Sequence, residues 1–394
     1  MVQGNFIGTD AGGSLPLPNV QGGVHIANSS NGNTIGGTTA VARNVISGNT
    51  SSGISISNLS TGNIIQGNFI GTDAGGSAVL GNSGGGVDIA TASNTVGETA
   101  AGAGNVISAN GSVGVRIAGS TATGNVVQGN LIGTNAAGTG SLPNTGGGVV
   151  IDLGSGNTIG GDSAAARNVV SGNGQNGVRI TGSSATGNLV RGNFIGTDVN
   201  GSSALGNTLA GVSLEFSASN NTIGGTTLAT AQDVIAFNGE TGIQVAGGAG
   251  SGNWLRFNEI TLNGGLGIDL GGDNVTANDA GDTDSGPNDL QNFPGLTSAT
   301  SGGLTTMIQG SLNSTANTQF VIDLFNSPSC DLSGNGEGQT WFHPVTQSTD
   351  SSGNLSFTAS FGFGLTLGTV VTAIATSPGN STSEFSACVT VITP

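Results

Sequence analysis

The chain has 394 residues, 75 of them glycine, with no lysine and no tyrosine; six arginines face 22 aspartates and glutamates, for a net charge of −16 at pH 7. A field of that sign repels nucleic acid and anionic lipid surfaces, so both are excluded as expected partners. No apolar run approaches the roughly 18 to 20 residues of a helical membrane span, and no secretory signal segment is evident.

The chain opens inside a repeat. Residues 2–10 (VQGNFIGTD) match residues 65–73 (IQGNFIGTD) at all but the first position, so upstream sequence carrying a secretion signal, further repeats or a cap is expected. Eight units follow, each with three short apolar triplets. The first triplet, Gly23-Val24-His25-Ile26, recurs from Gly53, Gly86, Gly114, Gly148, Gly177, Gly211 and Gly242 at intervals of 28 to 34 residues. The second opens on Asn33, Asn63, Asn94, Asn125, Asn157, Asn188, Asn221 and Asn253. The third opens on Asn44, Asn68, Asn105, Asn130, Asn168, Asn193, Asp233 and Asn258.

Apolar residues alternate within the first triplet, the period of a strand with one buried face, and no stretch sustains a helical period. Short strands separated by Gly/Asn/Ser corners suit a chain that coils, each turn laying its strands parallel on those of the turn before. Asparagine tolerates left-handed corners, and stacked asparagines can pass amide hydrogen bonds from coil to coil. Eight coils at roughly 4.8 Å each predict a rod about 40 Å long.

The gap between second and third triplets alternates, which makes the true repeat two coils. Odd coils carry an extra loop there (residues 36–42, 97–104 and 160–166). Long loops at residues 8–19, 71–82, 133–144 and 196–207 follow the third strand of the other coils. Each loop class is expected to form a row along the rod. In the second class Asp10, Asp73, Asn135 and Asp198 are expected to close the turn on their own backbone. Phe6, Phe69 and Phe194, equivalent to Leu131, are expected to pack as a stack.

The outward positions of the first strand read His25, Ser55, Asp88, Arg116, Val150, Arg179, Ser213 and Gln244, with Asp152 and Glu215 two residues beyond their strand's outward position. Asp88, Arg116, Asp152 and Arg179 are the candidate catalytic set, since carboxylates and arginines one coil apart can exchange protons or grip a carboxylate. The same pattern equally makes an ion-pair ladder on a surface that must be polar.

Past the repeats, Asp269, Asp273, Asp279, Asp282, Asp284 and Asp289 fall without one basic residue among them. Hard oxygens around the turn at residues 282–289 suit Ca²⁺, which takes six to eight such ligands. The spacing is not that of an EF-hand, because Gly286 and Phe293 stand where ligands are needed. Residues 1–275 are therefore read as a parallel β-helix and 276–292 as an acidic junction with a candidate calcium loop. Residues 293–394 are read as a β-sandwich of immunoglobulin-like type. Strands are expected at 306–312, 319–325, 340–345, 355–359, 370–376 and 388–392. Cys330 and Cys388, an even pair in the last unit, are expected to form a disulfide in an oxidising compartment, contributing roughly 4 kcal/mol in the chain-entropy model.

The coil repeat resembles the right-handed parallel β-helix repeat proteins of bacterial surfaces and secretions, a pectate-lyase-like solenoid, and residues 329–331, 334–338, 350–354 and 379–386 resemble the C-terminal module that follows such repeats. The resemblance implies an all-β fold and an extracellular or cell-surface location. It also implies a structural or adhesive role with polysaccharide or surface glycan as ligand, or a polysaccharide lyase or glycoside hydrolase with its cleft on the first-strand face. That architecture serves many functions, so the fold does not choose among them. The sequence lacks the Asn-Thr-Asp and Arg-x-Lys signatures of the polygalacturonase-like hydrolases, and has no lysine for a lyase that uses one. Exposed coil edges are expected to favour end-to-end self-association.

Overall fold

The structure is a computed structural model that describes residues 1–225 and 232–394. Three parallel sheets run its length: sheet 1 (nine strands, Val24–Ile26 to Ile268–Gly271), sheet 2 (eight strands, Thr34–Gly36 to Trp254–Leu255) and sheet 3 (nine strands, Phe6–Ile7 to Glu259–Thr261). Each strand pairs in register with its counterpart in the next coil, as with Arg116 between Asp88 and Val150. The alternation fills the core: Ile56, Ile89, Ile117 and Ile151 from sheet 1 meet Ile65 and Val127 from sheet 2 and Ile70 and Ile132 from sheet 3, all essentially without exposure. The described helices are single 3₁₀ turns at Ala40–Ala42 and Ala164–Ala166, and a turn at Pro287–Leu290 whose backbone is left-handed at Asn288, Asp289 and Leu290. No described helix is long and apolar enough to cross a membrane.

The asparagine ladders form as expected. Asn63 Nδ2 donates to Asn94 Oδ1 at 2.9 Å, and so on down the column to Asn253. In the second column, which begins at Asn5, the same Nδ2 also reaches a strand carbonyl in the preceding coil, Asn68 to Ile35 O at 2.9 Å. Each side chain thus satisfies a buried carbonyl that the corner would otherwise strand. A third column, absent from the sequence reading, runs through Asn19, Asn49, Asn82, Asn110, Asn144, Asn173, Asn207, Asn238 and Asn263.

The long loops do form a row. Ala74 N–H donates to Gly13 O, Ala136 to Gly76 O and Val199 to Gly138 O, so each loop, two coils tall, touches the next. Asp10 Oδ1 accepts from Ser14 and Leu15 N–H, and these two bonds, the Leu15 bond foremost, hold its carboxyl below the usual range. The phenylalanines do not stack on one another: Val45, Val106 and Val169 stand between them in register. Phe69 and Phe194 are buried instead under the loop row, with Arg43 and Arg167 4.0 Å over their rings, while Phe6 stays half-exposed.

The last coil is followed by a mixed seven-stranded sheet, in spatial order Thr340–Ser348, Gln319–Ser327, Val370–Thr376, Val389–Ile392, Gly295–Ser301, Thr306–Asn313 and Asn354–Phe361. Gly295–Ser301, a run of Ser, Thr and Ala with weak apolar alternation, was not expected as a strand; it supplies the one parallel pairing, to Val389–Ile392. The sheet curls around its own core of Ile308, Phe320, Ile322, Leu324 and Phe357. Its strands Gln319–Ser327 and Val370–Thr376 turn Phe325 and Ile374 the other way, into the core of the coils, together with Phe385. Cys330 and Cys388 are disulfide-bonded, as expected.

This unit closes the end of the solenoid. Leu270 N–H in sheet 1 donates to Glu384 Oε1 (2.8 Å), Leu255 N–H in sheet 2 to Thr382 Oγ1 (3.1 Å) and Ile260 N–H in sheet 3 to Gly338 O (3.0 Å). Two of the columns are finished as well, by Asn288 Oδ1 below Asn253 N–H (2.9 Å) and by Glu337 Oε1 below Asn263 Nδ2 (2.8 Å). A strand edge that would template pairing is thereby occupied.

Candidate functional site

Sheet 1 carries the expected outward row, extended by a ninth member, Asp269, paired in register with Gln244. Its middle coils form a shallow open groove of about 370 Å³ walled by Ser52, Asp88, Ser112, Arg116, Asp152 and Arg179. The four candidate catalytic residues therefore do share one surface. They are not free, however. Arg116 Nη2 donates to Asp152 Oδ2 at 2.8 Å, and Arg179 Nε stands 3.0 Å from Glu215 Oε2, a charge contact out of line for a hydrogen bond. Ser213 Oγ donates to the other Glu215 oxygen at 2.9 Å. Asp88 takes a hydrogen bond from Ser52 and has no cationic partner among the described residues. Side-chain exposures of 48% for Arg116 and 34% for Asp152 put this pair in the class worth about 0.2–1 kcal/mol. The surface offers alternating donors and acceptors one coil apart, suited to hydroxyl-rich chains. Its two arginines are each held against a carboxylate.

The six expected metal ligands separate into groups. Asp279, Asp282 and Asp284 converge, with carboxylate oxygens within 4.8 Å of one another. Asp282 accepts from Asn292 N–H, Gln291 Nε2 and Ser314 Oγ. Asp279 Oδ2 accepts from Thr283 N–H and Oγ1, whereas its Oδ1 is turned from solvent and has no donor among the described residues. The Thr283 hydroxyl holds the Asp279 carboxyl below the usual range, while burial first, and neighbouring charge second, raise Asp284. Burial likewise raises Asp282.

Asp269, Asp273 and Asp289 lie outside this cluster. Asp269 belongs to the sheet 1 row and accepts from Gly272 N–H, and Asp273 lies beside Gly271. Asp289 ties the two units together, accepting from Ser251 (2.5 Å) and Ser381 (2.6 Å). Sequence proximity grouped these six, but the turn from the last coil into the junction points them in different directions.

Sequence reasoning did not find the buried ion-pair cluster at the junction. Arg256, 7% exposed, donates through Nε and Nη2 to Asp323, which is fully buried and also accepts from Trp341 Nε1 at 2.8 Å. Nearby, burial raises the carboxyls of Glu337 and Glu384, each to about 7. No local pattern marks such pairs, because their members lie in different units. No protein-family model and no curated protein matches the chain.

Proposed function

We propose that the chain is a secreted or cell-surface solenoid with a structural or adhesive role, contacting polysaccharide through the sheet 1 groove. The carrying observation is that the groove's arginines are committed to carboxylates: Arg116 to Asp152 and Arg179 to Glu215. Such a surface can exchange hydrogen bonds with sugar hydroxyls but lacks a free acid–base couple. The C-terminal unit, taken as an immunoglobulin-like module, serves as cap and spacer, and the disulfide favours an oxidising location. The edge of the last coil is covered by this unit and is not open to end-to-end pairing.

Ca²⁺ at the junction belongs to the same reading. Asp279, Asp282 and Asp284 would hold it, and the donor-less Asp279 Oδ1 among like charges is what fits a cation there. Three carboxylates leave the remaining positions of a six- to eight-oxygen shell to water or backbone.

The test is a glycan array with a polysaccharide-degradation screen, run with added Ca²⁺ and again with EGTA. Binding without turnover, lost in Arg116→Ala and Arg179→Ala, is the expected result. New reducing ends or unsaturated products would replace this reading with a lyase or hydrolase. Unchanged binding in both arginine variants would move the ligand away from the groove.

A further inference from the structure

The second asparagine column contains one exception, and its hydrogen bonding stops there. From Asn5 to Asn193 every rung donates Nδ2 to the next Oδ1, at 2.9–3.0 Å. Asn193 donates from its N–H (2.7 Å) and Nδ2 (2.9 Å) to Asp233 Oδ1. The next rung is Asn258, because Val234 and Glu259, the residues that follow, are register partners. Asp233 Oδ2 and Asn258 Oδ1 are both buried, and neither has a donor among the described residues. Two buried acceptors therefore stand on neighbouring rungs where every earlier rung places an amide N–H against an oxygen. Leaving both unpaired costs far more than one shared hydrogen bond.

We propose that Asp233 is a proton-binding rung: its Oδ2 carries a proton in the folded chain and donates it to Asn258 Oδ1, so that a neutral carboxylic acid takes the place of an amide. Only the proton moves; water supplies it and takes it back, and no heavy atom changes position in the column. A protonated carboxyl matches an amide in shape and supplies an acceptor oxygen and one donor hydrogen, the one that faces the next rung. A metal ion has no room, since the amide NH₂ occupies that position in the other rungs within hydrogen-bonding distance.

The surroundings favour the neutral form. Asp233 has no exposure, and burial raises its carboxyl to about 7 against the lowering pull of the Asn193 bonds, the Gly224 backbone and the Arg167 charge. Arg167 is not an ion-pair partner: it lies over the outer face of Phe194, with Nε on Gly192 O, while Asp233 sits at the inner corner. The other charged groups on adjoining strands are engaged elsewhere, Arg191 with Asp162, Glu259 with Gln339 and Arg256 with Asp323. Loss of the proton would set a carboxylate against an amide oxygen one coil before the cap, making the last coil a pH-sensitive fastening.

The test compares the intact chain with Asp233→Asn, which restores the column's own residue and should fold. In aspartate-labelled protein, one carboxyl ¹³C signal, missing from Asp233→Asn, should remain in the protonated form up to about pH 6. In denaturant titrations the parent's folded-to-unfolded ratio should fall between pH 5 and pH 8 by up to about 10²-fold more than the variant's, the two pH units of linkage between pH 5 and the folded value of about 7. An Asp233 signal already ionised at pH 5, or identical pH dependence in the two proteins, would overturn the proposal. Neither depends on glycan or calcium binding.

Discussion

If the C-terminal unit is a cap fastened to the solenoid, cutting the buried Arg256–Asp323 ion pair should loosen the junction before the coils. Asp323→Ala would leave the Arg256 guanidinium in a site where its side chain is 8% exposed, and would remove the acceptor of Trp341 Nε1. Breaking a buried pair by deleting one partner costs about 3–5 kcal/mol, and an unsatisfied indole donor adds about 1 kcal/mol or more, so a loss of about 4–6 kcal/mol is expected. Replacing both partners by apolar groups, Asp323→Leu with Arg256→Met, should recover most of it, because no charge is then stranded. The chain offers a local probe. Its two tryptophans both lie at this junction: Trp341 packs 5.4 Å from Phe257, and Arg256 lies 5.1 Å from the Trp254 ring. In urea, the fluorescence transition of Asp323→Ala should move to lower denaturant and separate from the far-ultraviolet circular dichroism transition of the coils. A loss below about 1 kcal/mol would refute the reasoning. So would a double variant no better than the single one, or fluorescence and dichroism shifting together.

Asn125→Ala removes the acceptor for both Asn94 N–H and Asn94 Nδ2 in mid-rod, and should cost about 2–3 kcal/mol in thermal or urea unfolding, against less than about 1 kcal/mol for Arg116→Ala on the surface. Glu337 and Glu384 have folded values near 7 against an ordinary glutamate value of 4.5, so the stability they contribute is complete below about pH 4.5 and is lost as pH rises through 7. The tryptophan transition should accordingly need more urea at pH 4.5 than at pH 8, and Glu384→Gln should flatten that difference. Reduction of Cys330–Cys388, which spans 58 residues, removes up to about 4 kcal/mol of loop-closure stabilisation from the unit whose nearby residues Glu337 and Gly338 cap the coils. Dithiothreitol or the Cys330→Ser, Cys388→Ser pair should therefore lower the fluorescence midpoint first.

Much of the solenoid was legible because its period is written in residues that have few alternatives. A Val-x-Ile triplet can bury one face only as a strand, and asparagine recurring at corners announces a column. The two-coil repeat was equally readable, since loops of unequal length must alternate in height. The third column was also present in the sequence, but only at a fixed offset from the first triplet: Asn49, Asn82, Asn110 and Asn144 each stand four residues before its glycine. Counted from the third strand the same asparagines fall at alternating distances and vanish into the loops. That offset, carried on to Asn263 and Gly267, also reveals the ninth first strand and puts Asp269 on the outward row rather than among metal ligands.

The junction was not legible, and the reason is physical. A solenoid repeats one environment, so any residue's partner can be found one period away. At the end of the rod that rule fails, and donors need acceptors from elsewhere: Asn288 and Glu337 finish two columns and Glu384 a sheet 1 strand, all from segments with no periodic relation to the coils. Local reading assigns such residues to solvent, as befits acids in Gly-rich loops. Burial instead makes them terminators, and the cost of desolvating them is what raises their carboxyls. The same logic separates the two parts of the molecule functionally. The sheet 1 groove repeats one polar theme with half-exposed pairs, so single changes there should alter binding with little effect on folding. The junction concentrates the buried ion pair, both tryptophans and the raised carboxyls of Glu337 and Glu384, so changes there act on the fastening of the cap. An arginine variant of the groove that lost glycan binding and also shifted the tryptophan transition would contradict that separation.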